Sequence, residues 1–190
     1  MDKKTLMEKL KETGAYQEGH FILSSGLHSA HYVQCALLLQ HPDLATIIGK
    51  DIADHFKDKG ITCVVGPALG GIIIAYKVAE GLGVRSIFGE RKDGDMSLRR
   101  GFYIEPGEKV LVVEDVITTG KSVKELIEVL KSAQADIVGV ASIIDRSNGS
   151  LDFDCEFFSL LKLDITTYSS YDVPEWLRNI PAVKPGSRGI

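Results

Sequence analysis

The sequence predicts an α/β fold in which a central parallel sheet is flanked by helices, and three observations predict it. Ile61 to Val65, Val110 to Val113 and Ile137 to Ile144 are short apolar runs rich in β-branched residues, the composition of strands buried on both faces of a parallel sheet. The first two pass through glycine-bearing turns directly into segments of helical apolar spacing, the strand, turn and helix unit of such sheets. The segments outside these units, about 1–40 and 150–190, are expected to form one small hood above a core of about 41–149, within a single domain of 190 residues.

Composition narrows the function classes. A balance of 25% charged and 44% hydrophobic residues is that of an ordinary soluble globular protein. The net charge of -4, without a lysine or arginine run, argues against a nucleic-acid partner. No apolar run is long enough to cross a bilayer, so no membrane partner is expected. The opening Met-Asp-Lys-Lys-Thr-Leu-Met-Glu-Lys-Leu reads as an amphipathic helix and not a signal peptide, which gives a cytoplasmic expectation. Cys35, Cys63 and Cys155 are widely spaced, with no Cys-x-x-Cys pair, and are expected as free buried thiols. His20, His28 and His31 lie close together but lack partner cysteines at ligand spacing, so no metal site is expected from them.

In chain order, residues 3–12 place Leu6, Met7 and Leu10 on one helical stripe that Gly14 ends. Two strand-like pieces follow, Phe21 to Leu23 and His31 to Val33, around a polar loop containing Ser24, Ser25, Gly26, His28 and Ser29. Pro42 to Lys59 carries Leu44, Ile47, Ile48, Ile52 and Phe56 at helical spacing and stops at Gly60. The strand Ile61 to Val65 runs into Gly66-Pro-Ala68-Leu69-Gly70-Gly71, and Ile72 to Leu82 reads as a helix. The backbone N–H groups of such a turn make an anion site. Val84 to Phe88 is the next strand. It leads to a segment, 89–101, that holds Arg91, Lys92, Arg99 and Arg100 among residues favouring a mobile loop. A solvated charged hairpin and a cationic lid are both open readings of it.

Lys109 to Val123 carries the densest chemistry. Glu114 and Asp115 end an apolar strand at the carboxyl edge, where open α/β sheets place their ligands. The turn Val116-Ile117-Thr118-Thr119-Gly120 then enters a helix, Ser122 to Ala133, with Val123, Leu126, Ile127 and Leu130 on one face. Loop N–H groups, the helix dipole and the hydroxyls of Thr118, Thr119 and Ser122 suit a phosphate. The two carboxylates suit the hydroxyls of a sugar diol. Gly120-Lys121-Ser122 also looks like the end of a nucleotide-triphosphate loop, but the first glycine of that motif falls on Asp115, whose charge would repel a polyphosphate.

Ile137 to Ile144 ends at Asp145-Arg146. This arginine either caps the sheet by pairing with Asp145 or offers its planar fork to a ligand carboxylate. Beyond it, Phe153, Phe157, Phe158, Leu160 and Leu161 mark an aromatic-rich strand, Asp164 to Trp176 reads as irregular, and 180–190 as an extended tail.

Val110-Leu-Val-Val-Glu114-Asp115-Val-Ile-Thr118-Thr119-Gly120-Lys-Ser122 resembles the phosphoribosyl diphosphate (PRPP) binding motif of the type I phosphoribosyltransferases: four hydrophobic residues, two acids and a Thr-Thr-Gly loop. Phe21, Ser25, Gly26 and Ser29 resemble a Phe-x-x-x-Ser-Gly-x-x-Ser segment of the orotate phosphoribosyltransferases, and Asp145-Arg146 resembles their Asp-Arg pair. The resemblance spans about Phe21 to Arg146. It implies the type I phosphoribosyltransferase fold and transfer of phosphoribose from PRPP to orotate, giving orotidine 5'-monophosphate and pyrophosphate in pyrimidine biosynthesis.

The resemblance also implies roles. Glu114 and Asp115 take the ribose diol, and Val116, Ile117, Thr118, Thr119, Gly120, Lys121 and Ser122 take the 5-phosphate. Ala68, Leu69, Gly70 and Gly71 receive the pyrophosphate, and Thr118, Arg146, Ser25 and Gly26 the orotate. Glu114, Asp115, Arg91 and Lys92 are the implied catalytic residues, with Mg2+ held mainly by substrate oxygens and water. A homodimer with the lid reaching the partner's site is implied as well. Some orotate enzymes carry lysines where Ser24 and Gly70 stand, and the lid here is short and lacks the lysine and histidine expected after Lys92, with Arg99 or Arg100 as substitutes. A purine-base phosphoribosyltransferase and a non-catalytic PRPP-sensing regulator are the alternatives, separated by which base, if any, is turned over.

Overall fold

Among the described residues the strands form two sheets, and the larger one sets where ligands bind. The computed structural model describes residues 1–185, so the end of the expected tail, 186–190, lies outside the described residues. Helix α1 (Lys3–Glu12) is capped by Asp2, whose carboxylate accepts the Thr5 N–H at 2.8 Å, and it buries Leu6 and Leu10. Strands β1 (Tyr16–Ile22) and β2 (His28–Val33) form an antiparallel hairpin, longer than the two pieces expected around the polar loop. The extra length was hidden because Tyr16-Gln-Glu-Gly-His has no apolar alternation. A short helix that the sequence reading lacked, α2 (Ala36–Leu39), precedes α3 (Pro42–Phe56), which starts on a proline.

Strand β3 (Cys63–Pro67) leads into α4 (Gly70–Leu82), and β4 (Arg85–Lys92) pairs antiparallel with β5 (Asp95–Leu98). The expected mobile loop at 89–101 is therefore mostly a β-hairpin turning at Asp93-Gly94, the charged-hairpin alternative. Strand β6 (Lys109–Ile117) precedes α5 (Lys121–Ser132), and β7 (Asp136–Asp145) precedes β8 (Glu156–Lys162). The chain closes with β9 (Thr167–Tyr168), α6 (Glu175–Arg178) and β10 (Ala182–Val183), so the stretch expected as irregular holds β9 and the start of α6.

The larger sheet has the order β5-β4-β3-β6-β7-β8, parallel throughout except for β5, and is the predicted central parallel sheet. Its two faces are covered separately. Val64, Leu111 and Val113 join Ile48, Ile52 and Ile74 of α3 and α4, whereas Cys63, Val65, Val110 and Val112 join Val123, Leu126 and Leu130 of α5. The smaller sheet, β10-β1-β2-β9, draws strands from both chain ends. One boundary is corrected: β8 lies within the stretch assigned to the hood, yet it pairs in register with β7 as an edge of the main sheet. Because β3 and β6 run parallel, the starts of α4 and α5 open at the same sheet edge.

Candidate active site

Val116 to Val123, with Glu114, line a cavity of about 80 Å³ at the end of β6. Thr118 and Thr119 are exposed there, and Gly120 turns the chain at a φ of 69°, a left-handed conformation that glycine adopts without cost. The Lys124 N–H closes the first turn of α5 on the Gly120 carbonyl at 2.8 Å. The N–H groups of the first turn before it have no intrahelical acceptor, and they open toward the cavity with the positive end of the helix dipole. A space this small suits one anionic group rather than a whole ligand.

The acids reach toward the other helix start. A Cβ on Gly70 would lie 2.7 Å from Asp115 Oδ1, and one on Gly71 would lie 3.2 Å from Glu114 Oε1. The paired glycines thus leave room for two carboxylates against the first turn of α4. Each acid also accepts a neighbouring backbone N–H, Asp115 N to Glu114 Oε1 at 3.1 Å and Val116 N to Asp115 Oδ1 at 2.8 Å. Burial, and then the charge of Asp115, push the Glu114 carboxyl well above its ordinary value, and burial raises Asp115. One expectation is corrected in the turn before α4: the Ala68 N–H donates to the Gly89 carbonyl at 2.7 Å, so it is not free for an anion. Leu69, Gly70 and Gly71 remain, with the Leu69 side chain exposed.

Arg146 joins the two halves of the site. Its N–H donates to the Ile117 carbonyl at 2.8 Å, which sets it beside Thr118. The sheet-capping alternative fails, because Asp145 instead accepts the Ser147 N–H at 2.8 Å and no carboxylate among the described residues pairs with Arg146. Its Nε is buried without a hydrogen-bond partner. Burial lowers its pKa, while the nearby phenols of Tyr32 and Tyr16 act in the opposite direction. These two tyrosines, on β2 and β1, are site neighbours that the sequence reading missed. Tyr16 shares a 2.8 Å hydrogen bond with His31 Nδ1, which ties β1 to β2 on the hood. Ser25 and Gly26 are instead exposed in the β1–β2 turn, where the Gly26 N–H donates to the Leu23 carbonyl at 2.9 Å.

The basic residues of the hairpin divide by face. Arg91 pairs with Glu125 of α5 and donates to the Gly94 carbonyl at 2.9 Å, so it does not face the start of α4. Lys92 is exposed and without an ion pair among the described residues. Arg99 and Arg100 both approach Glu90. The histidines separate: His20 Nε2 meets His28 Nδ1 at 2.7 Å while His31 turns to Tyr16. Among the described residues no three His, Cys, Asp or Glu side chains group as metal ligands. Cys35 and Cys63 are free and buried as expected, but Cys155 is half-buried.

Comparison with known proteins gives the family. The family model described as phosphoribosyl transferase domain matches residues 36–177. The orotate phosphoribosyltransferase of Thermotoga maritima is 55% identical over 185 residues, covering 97% of this chain and 99% of the relative. That of Caldicellulosiruptor saccharolyticus is 54% identical over the full length of both. Among solved structures, the orotate phosphoribosyltransferase of Aeropyrum pernix superposes with a TM-score of 0.69 at 26% identity, covering 83% of this chain and 93% of that one. The adenine phosphoribosyltransferase of Rhodothermus marinus, at 21% identity and a TM-score of 0.63 over 84% of this chain and 99% of that one, shares the fold alone. The fold therefore does not choose the base, but the full-length identity does place the sequence: the chain belongs to the phosphoribosyl transferase family and, within it, to the orotate phosphoribosyltransferases.

Proposed function

We infer that the chain transfers the phosphoribosyl group of PRPP to orotate, giving orotidine 5'-monophosphate and pyrophosphate, a step of pyrimidine biosynthesis. The observation that carries this reading is Arg146: a half-buried guanidinium beside the loop at the start of α5, its Nε buried and unpartnered and no carboxylate paired with it among the described residues. Its fork matches the orotate carboxylate, which uracil and the purine bases lack.

The reaction forms a bond from ribose C1 to an orotate nitrogen and breaks the bond from C1 to pyrophosphate, releasing the proton of that nitrogen. Positive charge builds on the sugar and negative charge on the leaving group, so the work is positional and electrostatic. The first turn of α5, with Thr118, Thr119 and Ser122, holds the 5-phosphate. Glu114 and Asp115 accept the ribose hydroxyls and orient C1, and Leu69 to Gly71 face the pyrophosphate. Orotate is already an anion with a fairly acidic ring, so no strong general base is assigned. Glu114 and Asp115 are the carboxylates that would stand beside a bound Mg2+, which would supply charge neutralisation for the leaving group. A site offering two carboxylates and, among the described residues, no larger donor cluster fits an ion that keeps most of its shell from substrate and water.

The active form is proposed to be a homodimer whose hairpin tip, with Lys92, reaches the partner's site. Leu69, Ile73 and Tyr76 support it, an exposed apolar row along α4 at 84%, 46% and 62% exposure that a second copy would cover. Light scattering is expected to give a dimer for the parent and a monomer for Ile73→Asp. A monomeric parent would contradict the dimer. A cytoplasmic place is proposed because PRPP is a highly charged phosphate ester that does not cross bilayers unaided.

The test is turnover of PRPP with magnesium and orotate, uracil, adenine, hypoxanthine or guanine. Consumption of orotate alone is expected. Consumption of a purine would leave the PRPP site standing and overturn the base, and PRPP binding without turnover of any base would point to a regulator.

A further inference from the structure

Ser142 is the single polar side chain in β7 between the terminal Asp136 and Asp145. It is fully buried, and its hydroxyl has no hydrogen-bond partner among the described residues. Its register partners are Glu114 on β6 and Ser159 on β8, so the three side chains stand side by side on one face of the sheet. Two residues earlier on the same face the row is Val112, Val140 and Phe157, all in or against the core that α5 covers. The Ser159 hydroxyl is also buried and unpartnered. A buried hydroxyl in that condition has lost its hydration and gained no bond in return, a cost that alanine would not carry. Two such hydroxyls stand in line with the first of the two acids at the end of β6.

We propose that Ser142 is a positioning residue for Glu114: it donates a hydrogen bond that holds the carboxylate in the orientation that accepts a ribose hydroxyl, with Ser159 behind it. The proposal rests on the phosphoribosyl-transfer reading and adds a residue to its diol site. Adjacent strands lie about 4.8 Å apart, so a serine hydroxyl and a glutamate carboxylate on register partners come within hydrogen-bond reach by side-chain rotation alone. Chemistry fixes the direction. An ionised carboxylate only accepts, so Ser142 must donate to it, and the Ser142 oxygen is then left to accept from Ser159. In the structure Glu114 Oε1 accepts the Asp115 N–H at 3.1 Å and lies against Gly71, turned from the serines. A carboxylate with one oxygen on the sugar and the other on Ser142 is fixed at both ends, which holds the sugar in a single orientation. A position that needed only a small side chain would be filled as well by alanine.

The test is calorimetric binding of ribose 5-phosphate and, separately, inorganic phosphate to the full chain, to Ser142→Ala, Ser159→Ala and Glu114→Ala, and to the chain carrying both Ser142→Ala and Glu114→Ala. Ser142→Ala removes an unpartnered buried hydroxyl and little volume, so its melting temperature is expected at or above that of the parent. Loss of a hydrogen bond to a charged acceptor predicts a ribose 5-phosphate Kd raised about 10-fold in Ser142→Ala and by less in Ser159→Ala, with inorganic phosphate held within about 2-fold in both. Where Glu114→Ala is already present, adding Ser142→Ala should change ribose 5-phosphate binding by under about 2-fold, because the hydroxyl acts only through that carboxylate. Three results overturn the proposal: ribose 5-phosphate bound by Ser142→Ala as tightly as by the parent, an equal loss of both ligands, or the same loss with Glu114→Ala present as without it. A parent that binds neither ligand would fell the phosphoribosyl-transfer reading and this proposal with it, whereas tight ribose 5-phosphate binding by parent and Ser142→Ala alike fells this proposal alone.

Discussion

Gly70 and Glu114 are the residues at which side-chain volume and charge bear most directly on the proposed chemistry. The three atoms nearest a methyl group on Gly70 all belong to the Asp115 carboxyl, the closest at 2.7 Å, so the carboxylate must turn away to admit it. Gly70→Ala should therefore keep its melting temperature within a few degrees while kcat/KM for PRPP falls about 10-fold or more, since one carboxylate contact to the diol is lost. Parent-like kcat/KM would show that the Asp115 orientation does not matter. Glu114 gives a pH dependence. Its folded carboxyl keeps a proton above its ordinary value of 4.5, so across the window above that value the folded chain binds more protons than the unfolded one. Stability of the ligand-free chain thus falls as pH rises through this window, and Glu114→Gln removes that loss. The melting temperature of the variant minus that of the parent should grow from about pH 5 to about pH 8; a constant difference would mean that Glu114 ionises normally in the folded chain.

The β4–β5 hairpin and α5 show what an element gains from its neighbours. Leu126 is fully buried and lies where a side chain at position 89 would be, beside Met96, so one leucine links α5 to the hairpin. Leu126→Ala should cost about 2–5 kcal/mol in denaturant unfolding, from lost burial and the cavity left behind. A loss under about 1 kcal/mol would mean that the hairpin and helix are not tightly packed. This packing also explains a misreading. Asp93-Gly94 and the flanking charges look like a mobile loop because local composition carries no record of Met96 and Leu98 turning onto α5. By contrast, β3, β6 and β7 were legible as strands because buried parallel strands are written as unbroken apolar runs. The polar β1 and the aromatic β8 were not, since their partners lie far along the chain.

Across the whole molecule, the strand, acids, turn and helix of the proposed phosphate half were readable from one stretch, Lys109 to Val123, because they follow one another in sequence. The base half was not. Arg146 was visible, but its environment comes from Tyr16 and Tyr32, more than a hundred residues earlier, and only the fold brings them to it. Ser25 and Gly26 were singled out in their place because motif matching follows local spacing, and the structure leaves both exposed in a turn. The central claim is that this assembled half selects orotate through its carboxylate. The most direct measurement is PRPP turnover with orotate beside uracil, the same ring without the carboxylate, by the parent and by Arg146→Gln. The account predicts that the parent strongly prefers orotate and that Arg146→Gln loses about 100-fold in kcat/KM for orotate while its uracil rate is unchanged. Parent-like orotate turnover by Arg146→Gln, or a parent indifferent between the two bases, would contradict it.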